Sequence, residues 1–191
     1  MDAELALLHV DDIKPHEETD KARLRRVRES ISLSRTLFKP VIVDRQSYTI
    51  IDGHHRYQSL LRMGHKTIPV VLADYERDIG SINPPRLSVG LEARKVEDIV
   101  LSMAKRGPGR VVLKESSNVF VVYRDPLDVY YVLKPFVSDA SIVDDIITLV
   151  IPPRLKASDI RRAGSHGSLL PPRSTLHDTW LKRVSIRFRL E

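Results

Sequence analysis

Apolar residues run almost unbroken from Leu5 to Val10, which predicts a first β-strand. Pro15 closes that run and biases Lys14 away from helix, so Ile13-Lys14-Pro15-His16-Glu17-Glu18 reads as a loop. From Lys21 to about Ser34 the period changes. Leu24, Val27 and Ile31 fall at i, i+3 and i+7, Asp20 stands ready as a cap, and Arg23, Arg25, Arg26 and Arg28 lie mostly on the wet side. Two β-branched runs follow, Pro40 to Asp44 and Tyr48 to Ile51, separated by Arg45-Gln46-Ser47 and therefore read as a hairpin with a three-residue connection. After Asp52-Gly53-His54-His55-Arg56, the residues Tyr57, Leu60 and Leu61 outline a short helix that stops at Gly64, and Thr67 to Leu72 returns as a strand. The first 75 residues thus read β-α-β-β-α-β.

Asn83-Pro84-Pro85 breaks the pattern and marks a lobe boundary. A helix is predicted from about Glu92 to Arg106, with Val96, Ile99, Val100 and Met103 on one face and Gly107-Pro108 as terminator. Val111 to Leu113 and Val119 to Tyr123 form a hairpin around Ser116-Ser117-Asn118. Asp125-Pro126 reads as a helix cap and first helical position, and Ile146 to Ile151 as another strand. From Pro152 onward, Pro152-Pro153, Pro171-Pro172, Gly164 and Gly167 interrupt the chain, leaving little periodicity beyond a short helix near Ser158 to Ala163.

Composition narrows the function classes. With 42% hydrophobic and 29% charged residues over 191 positions, the balance is that of a folded globular protein rather than a disordered or membrane-embedded one. No apolar run approaches the roughly 18 residues of a spanning helix, and Met1-Asp2-Ala3-Glu4 is acidic where a secretory signal is basic, so a cytoplasmic location is expected. The absence of cysteine rules out disulfides, thiolate zinc, iron–sulfur clusters and a cysteine nucleophile. The net charge of +6 is local. Lys+Arg and Asp+Glu balance at 22 each up to Pro153, whereas Arg154 to Glu191 hold 9 against 3. That concentration suits an anionic ligand, and a basic nucleic-acid-binding tail reads the same way.

Three segments could carry chemistry. In Ile50-Ile51-Asp52-Gly53-His54-His55-Arg56-Tyr57 a strand ends, a glycine permits a tight turn and a helix begins. The unpaired N–H groups and dipole of that helix start, with two histidines and an arginine, make an anion site suited to phosphate; alternatively Asp52 is simply a cap. Lys14-Pro15-His16-Glu17-Glu18 places carboxylates in a loop, as a catalytic acid/base or as a solvated turn. Pro172-Arg173-Ser174-Thr175-Leu176-His177 is basic and hydroxyl-rich, able to clamp a phosphate or carboxylate or to serve as a wet extension. The glycine positions permit neither a P-loop nor a Rossmann fingerprint, and the adjacent His54 and His55 point apart, an awkward zinc pair.

The strand, Lys14-Pro15-His16-Glu17, the Arg-rich helix, Pro40-Val41-Ile42-Val43 and Ile51-Asp52-Gly53-His54-His55-Arg56-Tyr57 together resemble the ParB/sulfiredoxin superfamily. Within it the chain is most similar to the archaeal free serine kinases, which carry a K-P-H-E loop, a D-G-H-H-R turn and a late P-K-T-T-R-H stretch. Arg173 stands where that stretch has lysine and Leu176 where it has arginine. Sulfiredoxins need a cysteine where His54 stands, and partition-type ParB proteins usually show a G-E-R-R-like turn followed by a helix-turn-helix.

The resemblance implies an α/β (α+β) fold: a ParB/sulfiredoxin-like catalytic core over residues 1–80, a second mixed lobe over 86–151, and a basic segment, 152–191, returning to the active site. It implies a kinase moving a phosphoryl group from ATP or ADP, with Mg²⁺, to the hydroxyl of free L-serine or a similar small hydroxy amino acid, in amino-acid metabolism and cysteine biosynthesis. Glu17 is then the general base. Asp52 orients the nucleophile or holds the metal, Gly53, His54, His55 and Arg56 bind the phosphates, and Arg173, Ser174, Thr175 and His177 close over the substrate. The expected partners are a nucleotide and an amino acid rather than a membrane or a nucleic acid. The competing expectation is a ParB-like nucleic-acid-binding protein or nuclease.

Overall fold

The computed structural model describes residues 3–137 and 148–190. Its contacts group the chain into two units. One comprises the residues up to Ser81, Ile160–Pro172 and those from His177 onward; the other comprises Ile82–Asp159 and Arg173–Leu176. Residues 152–191 are thus shared between the two.

The first unit opens with β1 (Glu4–His9), α1 (Lys21–Ser34), β2 (Thr36–Leu37), β3 (Val41–Asp44), β4 (Ile50–Asp52), α2 (His54–Arg62), β5 (Thr67–Ala73) and α3 (Tyr75–Asp78), after which β6 (Ile79–Asn83) leads out. The sheet order is β1-β5-β3-β4, with β3 and β5 parallel and the outer pairs antiparallel. Val41, Val43, Ile50, Ile68 and Val70 are fully buried beneath Ile31 of α1 and Tyr57 and Leu60 of α2, as the sequence pattern predicts, whereas Leu61 of the same expected set is exposed. Asp20 caps α1, accepting from the Arg23 amide at 2.7 Å. The hairpin is longer than its sequence suggests. Tyr48 takes a left-handed φ of 55°, and Thr49 pairs sideways with Lys14, so β4 starts only at Ile50.

The second unit holds β7 (Leu87–Val89), α4 (Ala93–Met103), β8 (Gly109–Glu115), β9 (Asn118–Arg124), α5 (Pro126–Leu133) and β10 (Thr148–Ile151). Its antiparallel sheet, ordered β7-β10-β8-β9, buries Val89, Val111, Leu113 and Val150 against Val96 and Val100 of α4 and Val129 and Leu133 of α5. Asp125 caps α5 as expected, accepting from the Leu127 and Asp128 amides. Helix α4 stops at Met103, three residues before the predicted end, because the Lys105 carbonyl and amide are taken by the Asp125 amide and the Asp128 carboxylate. Residues 146 and 147 of the expected strand lie outside the described residues.

The last part of the chain is more ordered than its pattern implies. It forms α6 (Ala157–Ser165), β11 (Leu176–Thr179), paired with β6, and β12 (Phe188–Arg189). β12 pairs antiparallel with β2, placing Phe188 opposite Leu37, and Leu190 is buried in the first unit's core. That unit is therefore completed by residues 160–172 and 177–190. Among the described residues no helix is long and apolar enough to cross a membrane.

Candidate active site

The loop from Lys14 to Glu18 is pinned on both flanks. The Lys14 amide donates to the Tyr48 carbonyl and the Ile50 amide to the Lys14 carbonyl, both at 3.0 Å. On the other side the Leu170 amide donates to the His16 carbonyl at 2.8 Å and the Glu18 amide to the Leu170 carbonyl at 2.9 Å. Pro15 has no amide to leave unpaired between these ladders. A loop held by backbone at two edges presents His16 and Glu17 in a fixed orientation, and both are buried, Glu17 at 7% exposure.

Gly53 forms the second wall. It takes φ +105°, a conformation that L side chains rarely adopt, and becomes the N-cap residue of α2. Asp52 is therefore not the cap. Its Oδ2 instead accepts from Arg56 Nη2 at 2.6 Å, folding the guanidinium over Gly53, where a Cβ would meet Nη2 at 2.8 Å. His55 is turned to α1, its Nε2 accepting from the Asp20 amide at 3.1 Å, which fastens the two helix starts together.

His54 points inward. Its Nε2 accepts from the His16 amide at 3.4 Å, so a neutral ring carries its proton on Nδ1, 3.9 Å from Glu17 Oε2. Glu17 Oε1 lies 3.6 Å from His16 Nε2, and the His16 ring stands edge-on to those of His54 and His177, with centroids 4.6 and 6.3 Å away. Glu17, His54 and His177 from three distant stretches thus gather around His16. Burial first, and then the neighbouring His16, pushes the His54 imidazole down to about 3 against the opposing pull of Glu17 and Asp52. The same two causes take His177 to about 3. Both rings are neutral at physiological pH.

Beyond His177 the cluster continues. Tyr75 Oη lies 3.2 Å from His177 Nε2, and the Arg161 guanidinium sits 5.4 Å from the Tyr75 ring centroid. Arg161 is clamped by the fully buried Asp44, through Nε to Oδ2 at 2.9 Å and Nη2 to Oδ1 at 3.1 Å. Burial pushes the Asp44 carboxyl up, but the Arg161 fork and Ser47 outweigh it and leave the group below its ordinary value. Burial raises the Tyr75 phenol, so it stays protonated. Close backbone approach allows this: a Cβ on Gly164, one turn past Arg161, would sit 2.6 Å from Thr49 Oγ1.

Glu17, His54 and His177, all expected from sequence, converge in the first unit, whereas Asp52 and Arg56 pair with each other and His55 with Asp20. Arg173, Ser174 and Thr175 fall in the second unit, Arg173 with a left-handed φ of 61° and the two hydroxyl residues buried. Sequence reasoning missed Tyr75, Arg161 and Asp44, which carry no local motif, and read His16 only as part of its loop. Among the described residues, no group of three or more His, Asp or Glu side chains is arranged to hold a metal.

Residues 2–84 match the ParB N-terminal domain. An ATP-dependent L-serine kinase of Staphylothermus marinus is 30% identical over 141 residues, covering 63% of this chain and 56% of that protein. The chain spans little more than half the length of the curated relatives it matches first. Among solved structures, SbnI with a C-terminal truncation from Staphylococcus aureus superposes with a TM-score of 0.73 at 18% identity, over 97% of this chain and 87% of that one. A free serine kinase in complex with AMP superposes with a TM-score of 0.71 at 18% identity, over 100% and 93%. The chain has the fold of these proteins, a mixed α/β architecture with a ParB-like first domain.

Proposed function

We propose that this chain, which carries a ParB N-terminal domain in the fold of the free serine kinases, moves a phosphoryl group from ATP or ADP to the hydroxyl of free L-serine or a similar small hydroxy amino acid. The observation that carries the reading is the 3.9 Å separation of Glu17 Oε2 from His54 Nδ1. It sets an acidic side chain beside the first residue of the glycine corner, where a donor phosphate and an acceptor hydroxyl have to meet.

Phosphoryl transfer asks a protein for positioning and charge stabilisation more than for covalent chemistry. The amides opening α2 have no partner within the helix and lie at its positive end, so Gly53 to Arg56 suit the donor's phosphates, with the Arg56 guanidinium over them. Asp52 keeps Oδ1 outside the Arg56 bridge and would hold a Mg²⁺ that arrives with the phosphates, which suits an ion that usually relies on one or two carboxylates and substrate oxygens. Bound there, the ion would neutralise charge on the phosphate oxygens. Glu17 takes the hydroxyl proton as the serine oxygen bonds to phosphorus and the bridging P–O bond to the departing nucleotide breaks. His16 Nε2 and His54 Nδ1, 3.6 and 3.9 Å from its carboxylate oxygens, flank Glu17 on two sides. Arg173, Ser174, Thr175 and His177 then grip the amino acid. A place in cysteine biosynthesis and a cytoplasmic site of action accord with such a product.

The test is direct: incubate the chain with Mg²⁺, ATP or ADP, and serine, and follow O-phosphoserine by ³¹P NMR. Product that requires both nucleotide and amino acid supports the reading. No phosphorylated product with either nucleotide across serine, threonine and other small alcohols overturns it.

A nucleic-acid reading draws on a cleft of about 610 Å³ lined by Lys21, Arg25, Arg28 and Arg62. It predicts log K falling with log[salt] by about 0.9 per phosphate contacted, and loss of binding in Arg25→Glu/Arg28→Glu. Removing residues 154–191 would be a poor test, because it strips Arg161, His177 and β12 from the first unit.

A further inference from the structure

Tyr75 and His177 share one hydrogen bond, 3.2 Å long, and neither side chain has another hydrogen-bond partner among the described residues. His177 Nδ1 is buried and unpartnered. The pair owns two protons, one on the phenol and one on the neutral imidazole, and a single bond between them uses only one. Whichever way that bond points, a buried donor remains unused, and a buried donor without a protein partner calls for an acceptor from a ligand or an ordered water.

The Arg161 guanidinium over the Tyr75 ring decides the direction. A cation on the ring face draws electron density from the phenol, making its O–H the better donor and its oxygen the poorer acceptor. Tyr75 then donates to Nε2, the imidazole proton sits on Nδ1, and the unused donor is His177 Nδ1–H. Arg161 is in turn fixed by its two bonds to Asp44, itself bonded to the Ser47 hydroxyl at 2.6 Å.

We propose that Tyr75 is a positioning residue that locks His177 in its Nδ1–H form, with Arg161 and Asp44 holding Tyr75 in place, so that His177 donates to an anionic oxygen of the substrate. The proposed kinase function enters only in naming that oxygen as the carboxylate of the amino acid. Tyr75 touches no reacting atom; it acts through the tautomer of His177.

The tautomer is read on the full chain labelled with ¹⁵N-histidine, by NMR correlation of the ring nitrogens, with His177 assigned from the signals lost in His177→Gln. In the wild type, Nδ1 is expected to carry the proton and Nε2 to show the shift of an accepting nitrogen. Tyr75→Phe deletes only the hydroxyl and should convert His177 to the Nε2–H form or a mixture. It should also lower kcat/KM for serine roughly ten-fold, chiefly through KM, the size expected for one lost orienting hydrogen bond. Arg161→Lys keeps the charge but loses the fork, and should give a partial shift. It carries the same readout should circular dichroism show Tyr75→Phe unfolded. A wild-type His177 protonated on Nε2, or an unchanged tautomer in the folded variants, overturns the proposal. If the wild type makes no phosphoserine, the kinase reading fails, while the tautomer still decides the role of Tyr75.

Discussion

Replacing Glu17 by glutamine removes a proton acceptor while keeping the shape of the side chain. The alternatives nearby are poor bases. His54 has its Nε2 occupied by the His16 amide and an imidazole pushed down to about 3, and His177, likewise at about 3, meets Tyr75. With neither ring able to take over, the contribution of general-base catalysis, about 10²- to 10⁴-fold in kcat, should be lost, or about 3–5 kcal/mol of barrier. Stability should move the other way or not at all. A carboxylate at 7% exposure is costly to keep charged, and an amide of equal size fills the same space. The assay pairs initial rates of O-phosphoserine formation by ³¹P NMR with thermal unfolding of the same preparations. A folded Glu17→Gln protein turning over at the wild-type rate refutes the base assignment. So does a loss of rate that merely follows a loss of folded protein.

Because His54 and His177 titrate near 3 when folded and near 6.5 when unfolded, acid protonates the unfolded chain first. The stability they contribute is complete above pH 6.5 and drains as pH falls toward 3, at about 1.4 kcal/mol per pH unit for each ring. Thermal unfolding from pH 8 to 5 should therefore show Tm dropping below pH 6.5, with the slope reduced by one proton in His177→Gln; an unaltered slope contradicts the buried neutral ring. Asp44→Asn leaves the Arg161 charge without its partner and should cost about 3 kcal/mol in urea unfolding, against under 1 for an ordinary surface exchange. Gly53→Ala imposes a left-handed conformation on a residue with a Cβ and drives it into the Arg56 guanidinium. A loss of about 1–2 kcal/mol and a rise in nucleotide KM are expected, and a variant as stable and active as wild type would exclude that strain.

The parts of the fold legible in the sequence are those built from local signals. Helix α1 begins and ends where Asp20 and the spacing of Leu24, Val27 and Ile31 place it, and α5 starts on its Asp-Pro pair. What escaped depends on partners far along the chain. β2 and β12 are two residues each and exist only because they pair with each other, while β7 has three residues squeezed behind Pro84-Pro85 and reads as loop until β10 lies beside it. The site divides the same way. Glu17 and His54 stand in compact motifs, whereas Arg161 meets Asp44 across 117 positions and Tyr75 meets His177 across 102, distances at which neither periodicity nor spacing speaks. α2 shows the subtler limit: its position could be read from Gly53, but not that His54 would turn inward and His55 toward Asp20.

The interrupted path of the first unit sets an order of events during synthesis. Its sheet and helices α1 and α2 are translated within the first 81 residues, yet Arg161, His177 and the strand that pairs with β2 emerge only after residues 82–159 of the second unit have been made. A nascent chain paused between the two stretches has β2 without its β12 partner, the first core without Leu190, and the Glu17 cluster without His177. Closure of the first unit therefore waits on the last residues of the chain.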